Sequence, residues 1–243
     1  MYGHRNIIWL GFVIAFIISG CKKTQSIITQ ETGTLTDIDN NIYATVKIGN
    51  QWWMAENLRV TKYRNGNPIQ EIHGNDAAAW SNTQEGAYCE YSENHNAPGF
   101  LYNWFAVTDT NNLAPAGWHI PTDDEWKTLE IYLGMSADAA NKTAWRGTNQ
   151  GDQLKISGTD RWTSYGNVWP TNESGFSAMP GGCRVYDGSW SDPIGLSYMG
   201  FWWSSSVHSV SESWYRYLDY KNSKVFRSHA LKSYGFSIRC VKN

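Results

Sequence analysis

One segment carries a full set of helix signals, and it bounds the fold. Pro121 precedes Thr122-Asp123-Asp124-Glu125, a capping box with Thr at the N-cap and Glu at N3. The acidic first turn suits the helix dipole. Trp126, Leu129, Leu133 and, slightly off the stripe, Tyr132 then form one apolar face, and Gly134 ends the helix. Strand-like segments lie on both sides of it. Leu35, Ile38, Ile42, Val46 and Ile48 are broken by two turn clusters, Asp39-Asn40-Asn41 and Gly49-Asn50. After Phe176 come Phe201-Trp202-Trp203-Ser204, Ser213 to Leu218, Val225 to Ser228 and Phe236 to Val241; Trp214, Arg216 and Leu218 alternate with Tyr215 and Tyr217 at the strand period. Short helices are expected over Gly99 to Val107 and Ser136 to Asn141, with a further turn over Asp152 to Lys155. Thr61 to Pro98 reads as long loops with short ordered pieces. Strands, helices, then strands imply an α+β domain.

Composition agrees with such a loop-rich, aromatically packed domain: 14 Trp, 14 Tyr and 22 Gly among 243 residues. A net charge of -2, from 20 basic and 22 acidic residues, excludes a polybasic nucleic-acid binder.

The N-terminus reads as an address. Arg5 precedes a short apolar run from Ile7 to Ile18, too short to span a hydrocarbon core of about 30 Å. Residues 1–20 are therefore expected to be a signal peptide. Ile18-Ser19-Gly20-Cys21 resembles the bacterial lipobox, which implies that Cys21 is acylated and becomes the new N-terminus, a membrane anchor. Residues 21–33 are expected to be the lipidated end and a flexible tether, with an r.m.s. reach of roughly 20 Å. Residues 34–243 form the domain. The absence of Asp after Cys21 implies, by the same resemblance, the outer membrane, with its periplasmic or surface face left open.

Three cysteines remain beside Cys21. One disulfide is expected in an oxidising compartment, and three pairings are open. Cys89–Cys240 is preferred, because it ties an early segment to the last strand and closes a long loop, worth about 2–4 kcal/mol. Cys183 would then be a buried thiol.

Signals for chemistry are weak. No phosphate-binding Gly-rich loop is present. His73, His95, His119, His208 and His229 lack zinc-ligand spacing, so no metal site is expected. Asp37, Asp39 and Asn41 alternate like a calcium loop, but Ile42 and Ile48 stand where that loop needs Gly and Glu, so a turn is expected. Calcium is not implied. Ser204-Ser205-Ser206 near His208 has no nucleophile-elbow context. Asp123 and Asp124 are read as helix N-terminal charges.

Seven ordered segments carry a resemblance. They are V-K-I-G-N-Q-W-W-M-A-E-N-L (Val46 to Leu58), G-F-L-Y-N-W-F-A-V (Gly99 to Val107), L-A-P-A-G-W-H-I-P-T-D-D-E-W (Leu113 to Trp126), N-E-S-G-F (Asn172 to Phe176), P-G-G (Pro180 to Gly182), F-W-W-S-S-S (Phe201 to Ser206) and G-F-S-I-R-C-V (Gly235 to Val241). Together they resemble the Fibrobacter succinogenes major paralogous domain family, found among exported bacterial lipoproteins. More distantly, Pro-Thr-x-x-Glu-Trp and Gly-Phe-x-x-Arg-Cys resemble the formylglycine-generating enzyme fold. That resemblance implies a C-type-lectin-like architecture with small twisted antiparallel sheets, two main helices and long loops. The enzymes' closely spaced copper-binding Cys pair is missing before Gly235, so their chemistry is not carried over and no cofactor is expected.

The leading expectation is a lipid-anchored, non-catalytic binding domain for a glycan or another envelope protein. Tyr186, Asp187, Trp190 and Asp192, in the loop from Arg184 to Tyr198, are its candidate contacts, with rings to stack and carboxylates to bond hydroxyls. An oxidising enzyme and a purely structural envelope component are the alternatives.

Overall fold

The computed structural model describes residues 30–91, 98–158, 160–191 and 197–243. Cys21 and the expected leader, His95 and Asp192 lie outside the described residues. In chain order the strands are β1 (Thr32–Thr36), β2 (Ile42–Ile48), β3 (Gln51–Met54), β4 (Gln70–Glu71), β5 (Ala87–Cys89), β6 (Leu101–Asn103) and β7 (Trp118–His119), followed by β8 (Ala144–Arg146), β9 (Met199–Val207), β10 (Glu212–Asp219), β11 (Val225–Leu231), β12 (Gly235–Phe236) and β13 (Val241–Lys242). The helices are α1 (Ala77–Asn82), α2 (Trp104–Val107), α3 (Asp123–Tyr132), α4 (Ala137–Asn141) and α5 (Gln150–Leu154).

These strands make three small sheets, ordered β1-β2-β3-β13-β7, β8-β11-β10-β9 and β12-β6-β5-β4. All strand pairs are antiparallel except β4 with β5. The α+β expectation holds. The expected pair of main helices does not: among the described residues α3, at ten residues, is the longest of five short helices. No helix among the described residues is long and apolar enough to cross a membrane.

Local chemistry explains the elements. Asn40 at φ 64° and Gly49 at φ 60° turn the chain between β1, β2 and β3. Asp37, the first residue of the calcium-like alternation, spends its carboxylate on that turn. It accepts the N–H groups of Asp39 and Asn41, both at 2.9 Å, and the Tyr43 hydroxyl at 2.6 Å. The capping box of α3 is complete, with the Glu125 N–H donating to Thr122 Oγ1 (3.2 Å) and the Thr122 N–H to Glu125 Oε2 (2.8 Å). The helix expected over Gly99 to Val107 is instead strand β6 followed by the single turn α2. Asn103 makes the switch, its Oδ1 accepting from Ala87 N in the sheet (3.0 Å) and from Ala106 N in the turn (3.1 Å).

Two buried polar clusters hold the sheets in place. In one, Asp123 of α3 meets Arg216 of β10 and Arg227 of β11, each at 2.7 Å, and Glu130 meets Arg216 (2.7 Å) and Arg146 (2.9 Å). This ties the helix to three strands. In the other, fully buried Arg239 donates to Asn57 Oδ1 (2.6 Å), Met54 O (3.0 Å), Phe176 O (2.6 Å) and Ser177 O (2.9 Å). Asn57 Oδ1 also accepts from the Trp202 indole at 3.0 Å. The segments around Asn57, Phe176, Trp202 and Arg239, four of the seven behind the family resemblance, thus meet in one buried knot.

The expected Cys89–Cys240 disulfide is not formed. Cys89, Cys183 and Cys240 are all free and buried. Cys89 packs in a small cluster with Trp80 and Tyr91, whereas Cys240 sits in the main core with Met54, Leu58 and Ile238. None meets a partner sulfur: Cys89 lies against the Arg184 guanidinium, Cys183 against Ser191, and Cys240 in the apolar core.

Candidate functional site

The segment expected to bind ligand folds onto the domain. Val185 to Ser189 is a tight turn, closed by Val185 N–H to Ser189 O at 2.8 Å, and Arg184 bridges to Trp190 across it. Asp187 accepts the Ser189 N–H at 2.9 Å, and these bonds hold its carboxyl below the usual range. Gly188, at φ 82°, lies where a Cβ would come within 2.3 Å of the Ala77 carbonyl oxygen. Trp190 is half-buried. Its ring stands edge-on to Tyr91 (4.8 Å), and the guanidinium of fully buried Arg184 lies 4.5 Å from its centroid. Tyr186 is exposed but leans on Tyr234 at 5.6 Å. Of the four expected contacts, Tyr186 and Asp187 are at the surface, Trp190 is a packing anchor, and Asp192 is outside the described residues.

Another aromatic set crosses the β8-β11-β10-β9 sheet. Trp145, Phe226, Tyr217 and Phe201 form one register row, a residue from each strand. All four are half-buried. Phe201 and Tyr217 stack at 4.5 Å with 8° between their planes, and Trp145 meets Phe226 edge-on at 5.1 Å. The rings are largely occupied with one another, which is packing chemistry.

Trp169 differs. Its side chain is 72% exposed, an unusual state for the largest apolar residue. It borders a cleft of about 300 Å³ lined by Ser157, Gly158, Ser164, Val168, Pro170 and Thr171. The backbone beneath is fixed. Asp152 of α5 accepts the Trp169 N–H on its side chain (3.3 Å) and the Thr171 N–H on its carbonyl (2.9 Å). Asp152 in turn pairs at 3.1 Å with Lys155, which is wholly buried, lies over the Trp162 ring and donates to Asn222 O at 2.7 Å. Burial lowers the Lys155 pKa, and the adjacent Asp152 partly offsets this. Val168 N–H to Tyr165 O, at 3.0 Å, closes the preceding turn. An exposed indole beside hydroxyl side chains, held on an ordered backbone, can stack on a flat ligand face while hydroxyls bond its edge. The sequence signal for it was an aromatic residue without periodic partners, between Gly166-Asn167 and Pro170.

The thiols are poorly suited to chemistry. Burial pushes Cys89 up to about 12 and Cys183 up to about 11, and raises Cys240 further. The serine run is structural: Ser204 Oγ accepts from Ser206 N, and Ser206 Oγ accepts from Asp123 N at the helix start. The histidines, scattered in sequence, do not all stay apart: His208 and His229 converge with Glu212 at one end of the β9-β10-β11 sheet.

Three small sheets, a capped helix between them and a knot around Arg239 define an aromatic-rich α+β domain whose last strand, β13, inserts between β3 and β7. Residues 46–242 match the Fibrobacter succinogenes major domain, and the chain belongs to that family. No curated protein and no solved structure matches the chain.

Proposed function

We propose that the chain is a lipid-anchored lipoprotein of the outer membrane whose domain, C-type-lectin-like in architecture, binds a carbohydrate at the Trp169 cleft. The lipobox resemblance at Cys21 supports the anchor, and insertion of β13 beside β3 and β7 is compatible with a lectin-like closure of the two chain ends. The observation that carries the binding reading is Trp169 itself. Its ring is left in solvent by a backbone that Asp152 and buried Lys155 hold in place. A sugar covering such a ring recovers apolar area at little ordering cost, because the site is already formed. The oxidising-enzyme alternative has less support, because it needs thiolates and burial favours the protonated thiols here.

The test is a glycan array followed by calorimetry on the purified full-length protein in detergent. Trp169→Ala is expected to weaken binding of an array hit by about tenfold or more, on the scale of losing about 1.5 kcal/mol or more of ring contact. Trp190→Ala should bind as the parent does once folding is verified. Equal binding by Trp169→Ala and the parent would overturn the cleft assignment.

A further inference from the structure

We propose that His208, Glu212 and His229 form a binding site for a divalent transition-metal ion, with zinc the best fit. The site is independent of the Trp169 cleft. Backbone geometry assembles it. His208 follows β9, and its N–H donates to Glu212 O at 3.0 Å, so the turn into β10 sets these two side by side. His229 of β11 sits opposite Trp214 of β10, which carries it to the same end of the sheet. One ligand atom from each residue then lies within 4.8 Å of the others.

Three details favour an ion over a bare surface cluster. First, the donor set is two imidazoles and one carboxylate, the combination borderline cations such as zinc prefer and magnesium or calcium do not. Second, His229 Nδ1 is buried yet makes no well-aligned hydrogen bond, although Glu212 Oε2 lies 3.1 Å away. A misaligned contact leaves this buried nitrogen poorly satisfied, and a metal held between it and the carboxylate would satisfy both. Third, the two imidazoles are already adjacent, with ring centroids 3.8 Å apart and 12° between their planes, so only the exposed His208 need rotate for a nitrogen of each ring to face one ion. Trp214 walls the site, its ring edge-on to His208 at 4.6 Å and to His229 at 5.7 Å. Arg227 lies over the Trp214 ring, 3.7 Å from its centroid, and its charge is engaged by Asp123 at 2.7 Å. Zinc–nitrogen bonds of about 2.1 Å place ligand atoms closer together than here, so binding draws the exposed His208 inward. Three protein ligands leave a coordination position for water or an external donor.

The test uses the untagged full-length protein, stripped with chelator and titrated with zinc by calorimetry, with magnesium as the control ion. One zinc per chain is expected, with no saturable magnesium binding. His208→Ala, a change at an exposed position, should weaken zinc binding by about tenfold or more, and Glu212→Gln should weaken it too. Thermal unfolding gives a second readout: zinc should raise the midpoint of the parent and not that of His208→Ala. His119→Ala removes another histidine beside a carboxylate, Glu125 at 2.7 Å, and should leave zinc binding unchanged. Absence of saturable zinc binding, or equal affinity in His208→Ala and the parent, would overturn the site.

Discussion

Arg239 shows how much one side chain can organise. It is fully buried without a carboxylate in contact, and neutral oxygens take its donors: Asn57 Oδ1 and the carbonyls of Met54, Phe176 and Ser177. Burial pushes the guanidinium down to about 9. A planar fork reaches four acceptors in different directions, which a single ammonium cannot do. Arg239→Lys is therefore expected to lower stability by roughly 2–4 kcal/mol, read as a fall in the urea midpoint with an unchanged slope. An unshifted midpoint would show that the knot contributes little. The Gly-Phe-x-x-Arg-Cys segment was legible as a signature, but not this role, because Asn57 lies 182 positions earlier. The two tryptophans make the same point. Trp190 and Trp169 both sit among turn residues, and only the neighbours brought by folding, Tyr91 and Arg184 for the one and a hydroxyl-lined cleft for the other, separate an anchor from an exposed ring.

At the scale of elements, local signals were readable where the element makes its own hydrogen bonds. The capping box of α3, the turn at Asp39-Asn40-Asn41 and the α4 N-cap at Ser136 all depend on residues within a few positions of one another. The segment from Gly99 was misleading because β6 is buried along its whole length, so its apolar residues do not alternate and can be read at helical spacing. Asp123 was legible only in part. It is an N-terminal helix charge, and it is also the acceptor for Arg216 and Arg227 across the sheet. Burial alone would raise its carboxyl, but the Arg227 hydrogen bonds and the Arg216 charge outweigh that and hold it well below the ordinary 3.8. A depressed carboxyl contributes stability above its unfolded pKa and loses it as pH falls towards the folded one. Unfolding midpoints should thus hold from neutrality to about pH 5 and fall steadily below about pH 4. Asp123→Asn should cost about 3–5 kcal/mol at neutral pH, since buried Arg227 loses its carboxylate and buried Arg216 is left with Glu130 alone, and should flatten the acid limb. An acid limb as steep in Asp123→Asn as in the parent would assign the dependence to other carboxylates.

Across the whole molecule, the last strand is held to the rest of the domain without a disulfide among the described residues. β13 pairs with β3 through Val241 opposite Trp53, and the Asn243 N–H reaches Gly117 O at 3.0 Å, so hydrogen bonds tie the last strand to an early strand and to the middle of the chain, where a disulfide was expected. Such a cross-link needs two thiols at matched positions, and sequence separation says nothing about that geometry. The three thiols are instead buried apart, at 0% exposure for Cys89 and Cys240 and 3% for Cys183. Burial favours their protonated forms and shields them from oxidants, so the cysteines can stay reduced even under oxidising conditions. A thiol reagent added to the native protein near pH 8 should therefore label none of Cys89, Cys183 and Cys240, and all three should react in concentrated guanidinium without prior reductant. Labelling of only one in the denatured chain would instead reveal a pair. Prompt labelling of the native protein would mean that the core around β5 or β13 opens readily, and that hydrogen bonds alone do not hold the last strand in place.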